Sequence, residues 1–219
     1  MKTAILYTGL PDNFNNNYLS HQSWINEFDA DLYIATWDNV NLDVDVLPYV
    51  NHNRIVNISL ASSNHIKKVI ETHINDTFGD IEIYKDKLVK CMMGYFTMQL
   101  AYKSIALPKQ YDMLIRLRFD IDFHKQMNIL PNDIQRGCKV TNAVYGWKDR
   151  FNYGHPNSMG KLLNIFSGCN NWYIGPFRKN IELLFGDYLS DNNIVLINNF
   201  RDFSIAKSPT DIRNQHIVS

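Results

Sequence analysis

The chain has 219 residues, 45% of them apolar and 20% charged, and its 22 basic and 22 acidic side chains cancel to a formal net charge of zero. A chain of this size buries a full core in one domain without staples, and the missing basic excess speaks against a nucleic-acid partner. The three cysteines, Cys91, Cys138 and Cys169, form no CxxC pair, so they suggest neither a zinc site nor a disulfide framework and read as buried thiols of a reducing compartment.

The opening MKTAILYTGLPDN has too short an apolar run for a secretory signal. No stretch approaches the ~18 apolar residues of a membrane span. A cytoplasmic protein is the expectation. Thr3 to Thr8 reads as a first strand, apolar on both faces, as in a buried parallel sheet. A helix is expected from about Asn17 to Phe28, then a second strand from Asp31 to Thr36 ending at Trp37-Asp38. Asn39 to Asn53 reads as a loop, and Arg54 to Ile58 as a short third strand.

Ser63 is placed to cap a helix over Asn64 to Ile74, with Ile66, Val69, Ile70 and Ile74 on one face. Asp86 is placed to cap a second helix from Lys87 to about Ser104, with a stripe of Leu88, Met92, Phe96 and Leu100, stopped by Leu107-Pro108. Beyond the segment Tyr111 to Phe123, a strand is expected at Lys139 to Tyr145 and a helix from Pro156 or Asn157 to Phe166. A strand at Trp172 to Ile174, a helix from Phe177 to Leu189, a late strand at Ile194 to Ile197 and an irregular tail complete the chain. Alternating strands and helices predict a single α/β sandwich on a mixed, mostly parallel sheet. Residues 1–123 would form its nucleotide half and 124–219 its acceptor half.

The segment Tyr111 to Phe123, YDMLIRLRFDIDF, carries the chemistry. From Ile115 to Phe123 it alternates strictly, so on one strand Arg116, Arg118, Asp120 and Asp122 would share a face. Four charges on a central strand are costly unless paired or used. Two carboxylates together are hard oxygen ligands for Mg²⁺ or Mn²⁺, and such an ion neutralises a leaving diphosphate. The carboxyl end of a strand is where α/β sheets bind ligands.

This block resembles the YD-hydrophobic-IR-x-R-x-D block of small GT-A glycosyltransferases found in large DNA viruses, including chlorella viruses, and in bacterial polysaccharide clusters. AILYTGL, DADLYIATWD, KCMMGYFTMQLAYKSI, KDRFNYGHPNSM and Glu182-Leu-Leu with Tyr188-Leu189 resemble further blocks of that family in the same order. The resemblance covers most of the chain, and only the Asp-x-Asp block is specific by itself. It implies transfer of a sugar from a nucleoside diphosphate donor, UDP-linked by preference, to a hydroxyl of an oligosaccharide or glycoprotein acceptor. Asp120 and Asp122 would bind the metal, with His216 as a third ligand from the tail. Thr8, Gly9 and Arg118 would lie near the nucleotide, and Asp149 would face the acceptor. The sequence reads KDRF where the family has NDQF, so Arg150 replaces a neutral amide.

Asp149 is the candidate general base of an inverting transfer, with Glu182 the second. Arg213 and Lys207 could close over the diphosphate, since basic side chains pair well with phosphate oxygens. Trp37 and Asp38 are placed to flank the nucleotide, with core packing the alternative for Trp37. Tyr7 could stack on the base or pack in the core. His21 and the other histidines outside the tail show no metal spacing and default to surface or packing. Two other readings stay open. A phosphohydrolase also uses Asp-x-Asp, normally on its first strand with the first Asp as nucleophile. A non-catalytic carbohydrate-binding protein could keep the same fold.

Overall fold

The computed structural model describes residues 1–78, 82–123, 138–143, 146–168, 181–192, 194 and 203–205, with side chains for all of these except 23–27, 77–78, 82–84, 138–143, 146–150, 181–184 and 203–205. In chain order the elements are β1 (Thr3–Thr8), α1 (Phe14–Phe28), β2 (Asp31–Trp37), α2 (Leu42–Asp45), β3 (Ile55–Ala61), α3 (Ser63–Phe78), α4 (Glu82–Lys103), β4 (Met113–Arg118), β5 (Ile121–Phe123), β6 (Cys138–Ala143), β7 (Gly146–Gly154), α5 (Pro156–Leu163), α6 (Ile165–Gly168), α7 (Ile181–Asp191) and β8 (Phe203–Ile205). Short 3-10 turns lie at Leu47–Tyr49, His52–Arg54 and Pro108–Gln110.

Six strands form one mixed sheet in the order β3-β2-β1-β4-β7-β6. The first four are parallel, and β7 and β6 are antiparallel to their neighbours. All six residues of β1 are buried, because both faces of this central strand are covered. On one face Ala4, Leu6, Tyr33, Ala35 and Leu114 pack against α3, α4, α5 and α7. On the other, Ile5, Tyr7, Ile34, Ile115 and Leu117 pack with Phe14 of α1, Val46 and the run Phe119, Ile121, Phe123. The result is an α/β/α sandwich in which the period-two pattern of each strand sorts its apolar side chains between two cores.

Several expectations are corrected. The helix expected from Asn17 begins three positions earlier, at Phe14, after Asn13 in the left-handed conformation. The segment read as a loop at Asn39 to Asn53 contains α2 and two 3-10 turns. Ser63 is the first helical residue of α3 rather than its cap, and its N–H donates to the Asp38 carboxylate at 3.0 Å. Val69 is 48% exposed. Asp86 lies inside α4, which starts at Glu82. The fourfold stripe on α4 holds at Leu88 and Met92 and then gives way to Tyr95, Met98 and Ala101 as the buried set. Steps of four drift by about 40° each on a helix of 3.6 residues per turn.

The largest correction concerns the charged segment. Ile115 to Phe123 is not one strand: β4 ends at Arg118, a turn follows at Phe119 and Asp120, and β5 pairs with β8 in a separate two-stranded sheet. The tail is therefore not wholly irregular, since β8 lies in it. β7 is an unexpected strand, because KDRFNYG reads as polar loop. The expected strand at Trp172 to Ile174 lies outside the described residues, as does the part of the Ile194 to Ile197 segment beyond Ile194. Among the described residues no helix is long and apolar enough to cross a membrane.

Candidate functional site

The strand order creates a topological switch. From β1 the chain moves to β2 and β3 on one side, then α4 carries it back to β4 on the other side of β1. Such a switch point is where open α/β sheets place their ligand crevice, and here the segments leaving β1 and β4 pack together, α1 against the run Phe119 to Phe123. Gly9 leaves β1 there with φ 99°, a backbone conformation that a side chain would strain. Arg118, Phe119 and Asp120 leave β4 level with Thr8, whose Cα partner is Arg118. Beside the switch, the loops after β1 and β2 border an open cleft of about 410 Å³ lined by residues including Leu10, Asn13, Asn39, Val40 and Asp45.

Arg116 and Arg118 point to the same face of β4. Arg116 is 1% exposed, and its Nε donates to Thr8 Oγ1 at 2.8 Å. Arg118 forks onto Asp120, Nε to Oδ1 at 2.8 Å and Nη2 to Oδ2 at 2.5 Å. This bidentate pair survives the break in the strand because the turn folds Asp120 back beside the end of β4. Asp122 sits half-buried on β5. Among the described residues no group of three His, Cys, Asp or Glu side chains converges as a metal cage. Two partly buried carboxylates at a switch point nevertheless fit Mg²⁺ or Mn²⁺, which bind through one or two carboxylates together with substrate phosphates. An ionised carboxylate has about four lone-pair sites, so the fork from Arg118 leaves Asp120 acceptor capacity. His216, expected as a third ligand, and Arg213 and Lys207 lie outside the described residues. β8 precedes them and brings the chain back alongside Asp122, opposite Ser204.

The remaining expected residues are distributed as follows. Tyr7 is fully buried and stacks on Phe119 with ring centroids 5.0 Å apart. Trp37 is buried and stacks on Phe96. The Asp38 carboxylate caps α3, and the Ser63 N–H holds its pKa below the ordinary carboxylate value. Asp149 lies on β7. The antiparallel register pairs Phe151 with Leu117, so the backbone at Asp149 runs past the end of β4 towards the Asp120 turn. Glu182 lies in the first turn of α7. The side chains of Asp149 and Glu182 are outside the described set.

Two residues at the site were not singled out by sequence reasoning. Asn152, paired with Arg116 across the β4–β7 ladder, is fully buried, and among the described residues neither side-chain amide atom has a hydrogen-bond partner. Buried amides are nearly always satisfied by protein, water or ligand, so this one marks a place where a polar group is wanted. His21 defaulted to packing, and it does pack, but against the acid pair's own backbone: its Nε2 donates to the Ile121 carbonyl at 2.5 Å. Burial holds its pKa down at about 4, although the Ile121 bond and the charges of Asp122 and Asp120 act to raise it. No local signal could have found this, because the partner is 100 residues away in sequence.

The His21 shift carries a prediction. Unfolded histidine titrates near 6.5, so between about pH 6.5 and 4 the unfolded chain takes up a proton that the folded chain refuses. Stability is full above about pH 6.5 and falls as pH drops towards 4, by up to about 3 kcal/mol in order of magnitude. Urea unfolding in chelator across this range checks it, and His21→Gln should lack this component of the slope.

No family model matches the chain, and no curated protein matches it. Among solved structures, the core-mannan synthase A of Aspergillus fumigatus in its Mn/GDP form is similar with a TM-score of 0.51 at 10% identity, covering 86% of this chain and 69% of that one. Mouse xyloside xylosyltransferase 1 in its apo form is similar with a TM-score of 0.43 at 9% identity, covering 90% of this chain and 84% of that one. The fold assignment rests on the first of these. The chain is an α/β protein with a central mixed, mostly parallel sheet flanked by helices, and this architecture is that of GT-A glycosyltransferases.

Proposed function

We propose that this chain is a metal-dependent glycosyltransferase that moves a sugar, a hexose, from a nucleoside diphosphate donor, UDP-linked, to a hydroxyl of an oligosaccharide or glycoprotein acceptor, with inversion. One observation carries the reading: an Arg-paired Asp-x-Asp lies at the switch point of a GT-A-type fold. The neighbour's Mn/GDP form adds support for a divalent ion and a nucleoside diphosphate. Asp120 and Asp122 would hold Mn²⁺ or Mg²⁺, with His216 completing the set. When bound, the ion neutralises charge on the leaving diphosphate.

The chain's own groups do the rest. Before substrate arrives, Arg118 and Asp120 neutralise each other at the crevice. Asp120 would hold the cation with the acceptor capacity the fork leaves it, and Arg118 beside it would offer its guanidinium to a phosphate oxygen, a geometry that arginine matches well. Arg116 holds Thr8 and so fixes the carboxyl end of β1. The Gly9 turn and the adjacent cleft offer room for the nucleoside, with Trp37 and Asp38 behind them. Arg213 from the tail would cover the diphosphate. Asp149 would accept the proton of the attacking hydroxyl, with Glu182 as the second choice.

A phosphohydrolase would carry its acid pair on the first strand, but β1 has none and ends at Thr8. Calorimetric titration with UDP, with and without Mn²⁺, tests the reading. Binding that requires the ion supports it, and no nucleotide binding in either condition overturns it. Asp149→Asn is expected to slow transfer by roughly 100-fold or more, the scale of general-base catalysis, while donor affinity stays unchanged. Collapse of donor affinity would remove Asp149 as the base.

A further inference from the structure

β5 is a short ribbon with two edges. One edge pairs with β8. Among the described residues the other meets no strand; side chains of α1 hold it. Asn17, Ser20 and His21 stand at helical positions i, i+3 and i+4, which share a face. Asn17 Nδ2 donates to the Phe119 carbonyl at 3.4 Å, His21 Nε2 donates to the Ile121 carbonyl at 2.5 Å, and the Phe123 N–H donates to Ser20 Oγ at 3.1 Å. Every second residue of the segment 119–123 is thus tied to the helix, and the residues between the ties are Asp120 and Asp122.

The anchors are themselves fixed. The Ser20 hydroxyl donates to the Asn17 carbonyl at 2.8 Å, so it has only a lone pair to offer Phe123. His21 is fully buried, and its Nδ1 lies 3.1 Å from the Tyr7 hydroxyl. With Nε2–H given to Ile121, neutral imidazole leaves Nδ1 as an acceptor, and the Tyr7 O–H donates to it. A chain of donors therefore runs from β1 through α1 to the carbonyl between the two acids. Phe119, Ile121 and Phe123 lock the same residues from their side chains, all in the core with Tyr7 and Phe14.

We infer that Asn17, Ser20 and His21, backed by Tyr7, are positioning residues that hold the α1-facing edge of the segment 119–123 and set the spacing and aim of Asp120 and Asp122, so that α1 tunes the acid pair's affinity for a divalent cation. This rests on the reading of the acid pair given above. A carboxylate pair bound to such an ion has little freedom to spare, since Mg²⁺-type sites demand near-ideal geometry, and groups that orient ligands from behind are commonly worth 10- to 100-fold in metal affinity.

The experiment is Mn²⁺ titration of the full chain, read by the electron paramagnetic resonance signal of free Mn²⁺, with amide hydrogen exchange at Phe123 and Asp122 followed in the metal-free protein. His21→Ala is expected to weaken Mn²⁺ binding by about 10- to 100-fold and to speed exchange at Phe123. His21→Gln, whose amide can still donate to Ile121, should recover most of the affinity, and Ser20→Ala should lose affinity to a smaller degree. Should His21→Ala fail to fold, Ser20→Ala decides the matter. Wild-type Mn²⁺ affinity in folded His21→Ala, or in Ser20→Ala when the His21→Ala variant is unfolded, overturns the inference while leaving the metal reading intact. Absence of Mn²⁺ binding to the wild-type chain, with UDP present or not, overturns both.

Discussion

Replacing Asp120 or Asp122 with alanine is expected to abolish metal-dependent donor binding while the chain stays folded. Each substitution removes a proposed ligand outright, so the loss should exceed the roughly 100-fold that an outer partner of a metal site costs. The two variants should differ in one respect. Asp120→Ala also releases Arg118 from its fork, leaving a guanidinium at the crevice with no counter-charge from Asp120. Metal-free affinity for UDP should then rise slightly, while the metal-dependent component vanishes. Asp122→Ala leaves the fork in place and should show no such gain. Because the Arg118 side chain is 34% exposed, breaking the pair should change stability by less than about 1 kcal/mol, so the binding defect cannot be read as unfolding. Titration calorimetry with and without Mn²⁺, alongside urea unfolding, separates these effects. Wild-type donor affinity in either variant would remove the acid pair from the site.

Phe119→Ala is expected to be the most destabilising single change near the site. The ring is fully buried, stacked on Tyr7 at 5.0 Å and edge-on to Phe14 at 5.1 Å. Truncating a buried Phe leaves a cavity and costs about 3–5 kcal/mol, a large share of the ~5–15 kcal/mol that typically holds a domain folded. Phe119 sits in the turn that presents Asp120, so the variant should lose divalent-cation affinity along with stability. Phe119→Leu should restore much of both. Chemical denaturation measures the first quantity and Mn²⁺ titration the second; an unfolding free energy within about 0.5 kcal/mol of wild type, on the scale of a surface substitution, would show that the turn is not anchored by this ring.

Much of this architecture is legible in local sequence. The continuous apolar run Thr3–Thr8 needs cover on both faces, and it takes the central place in the sheet. DLYIAT and MLIRLR are strands for the same reason, and the helices between them follow their apolar periodicity to within a few residues. The Asp-x-Asp with its Arg-x-Arg prefix stands out by charge alone, because acids and bases at the end of an apolar strand need a partner or a task. Local alternation could not reveal the break after Arg118. Phe119, Ile121 and Phe123 are buried whether the strand continues or turns, so the pattern is the same in both cases.

Tertiary structure decided what depends on partners distant in the chain. β7 reads as polar loop, yet Phe151, Asn152 and Tyr153 are buried because β4 and β6 flank it. β5 forms a ribbon with β8, which returns to it from the tail, and α1 holds its other edge. His21 shows the difference most sharply. Its sequence neighbours mark an ordinary helix, while its function as a strut follows from a carbonyl brought to it by the whole fold. Composition and periodicity specify which side chains leave water; only the packed chain specifies which backbone groups they then meet, since those pairings are chosen by sheet order and not by the residues beside them.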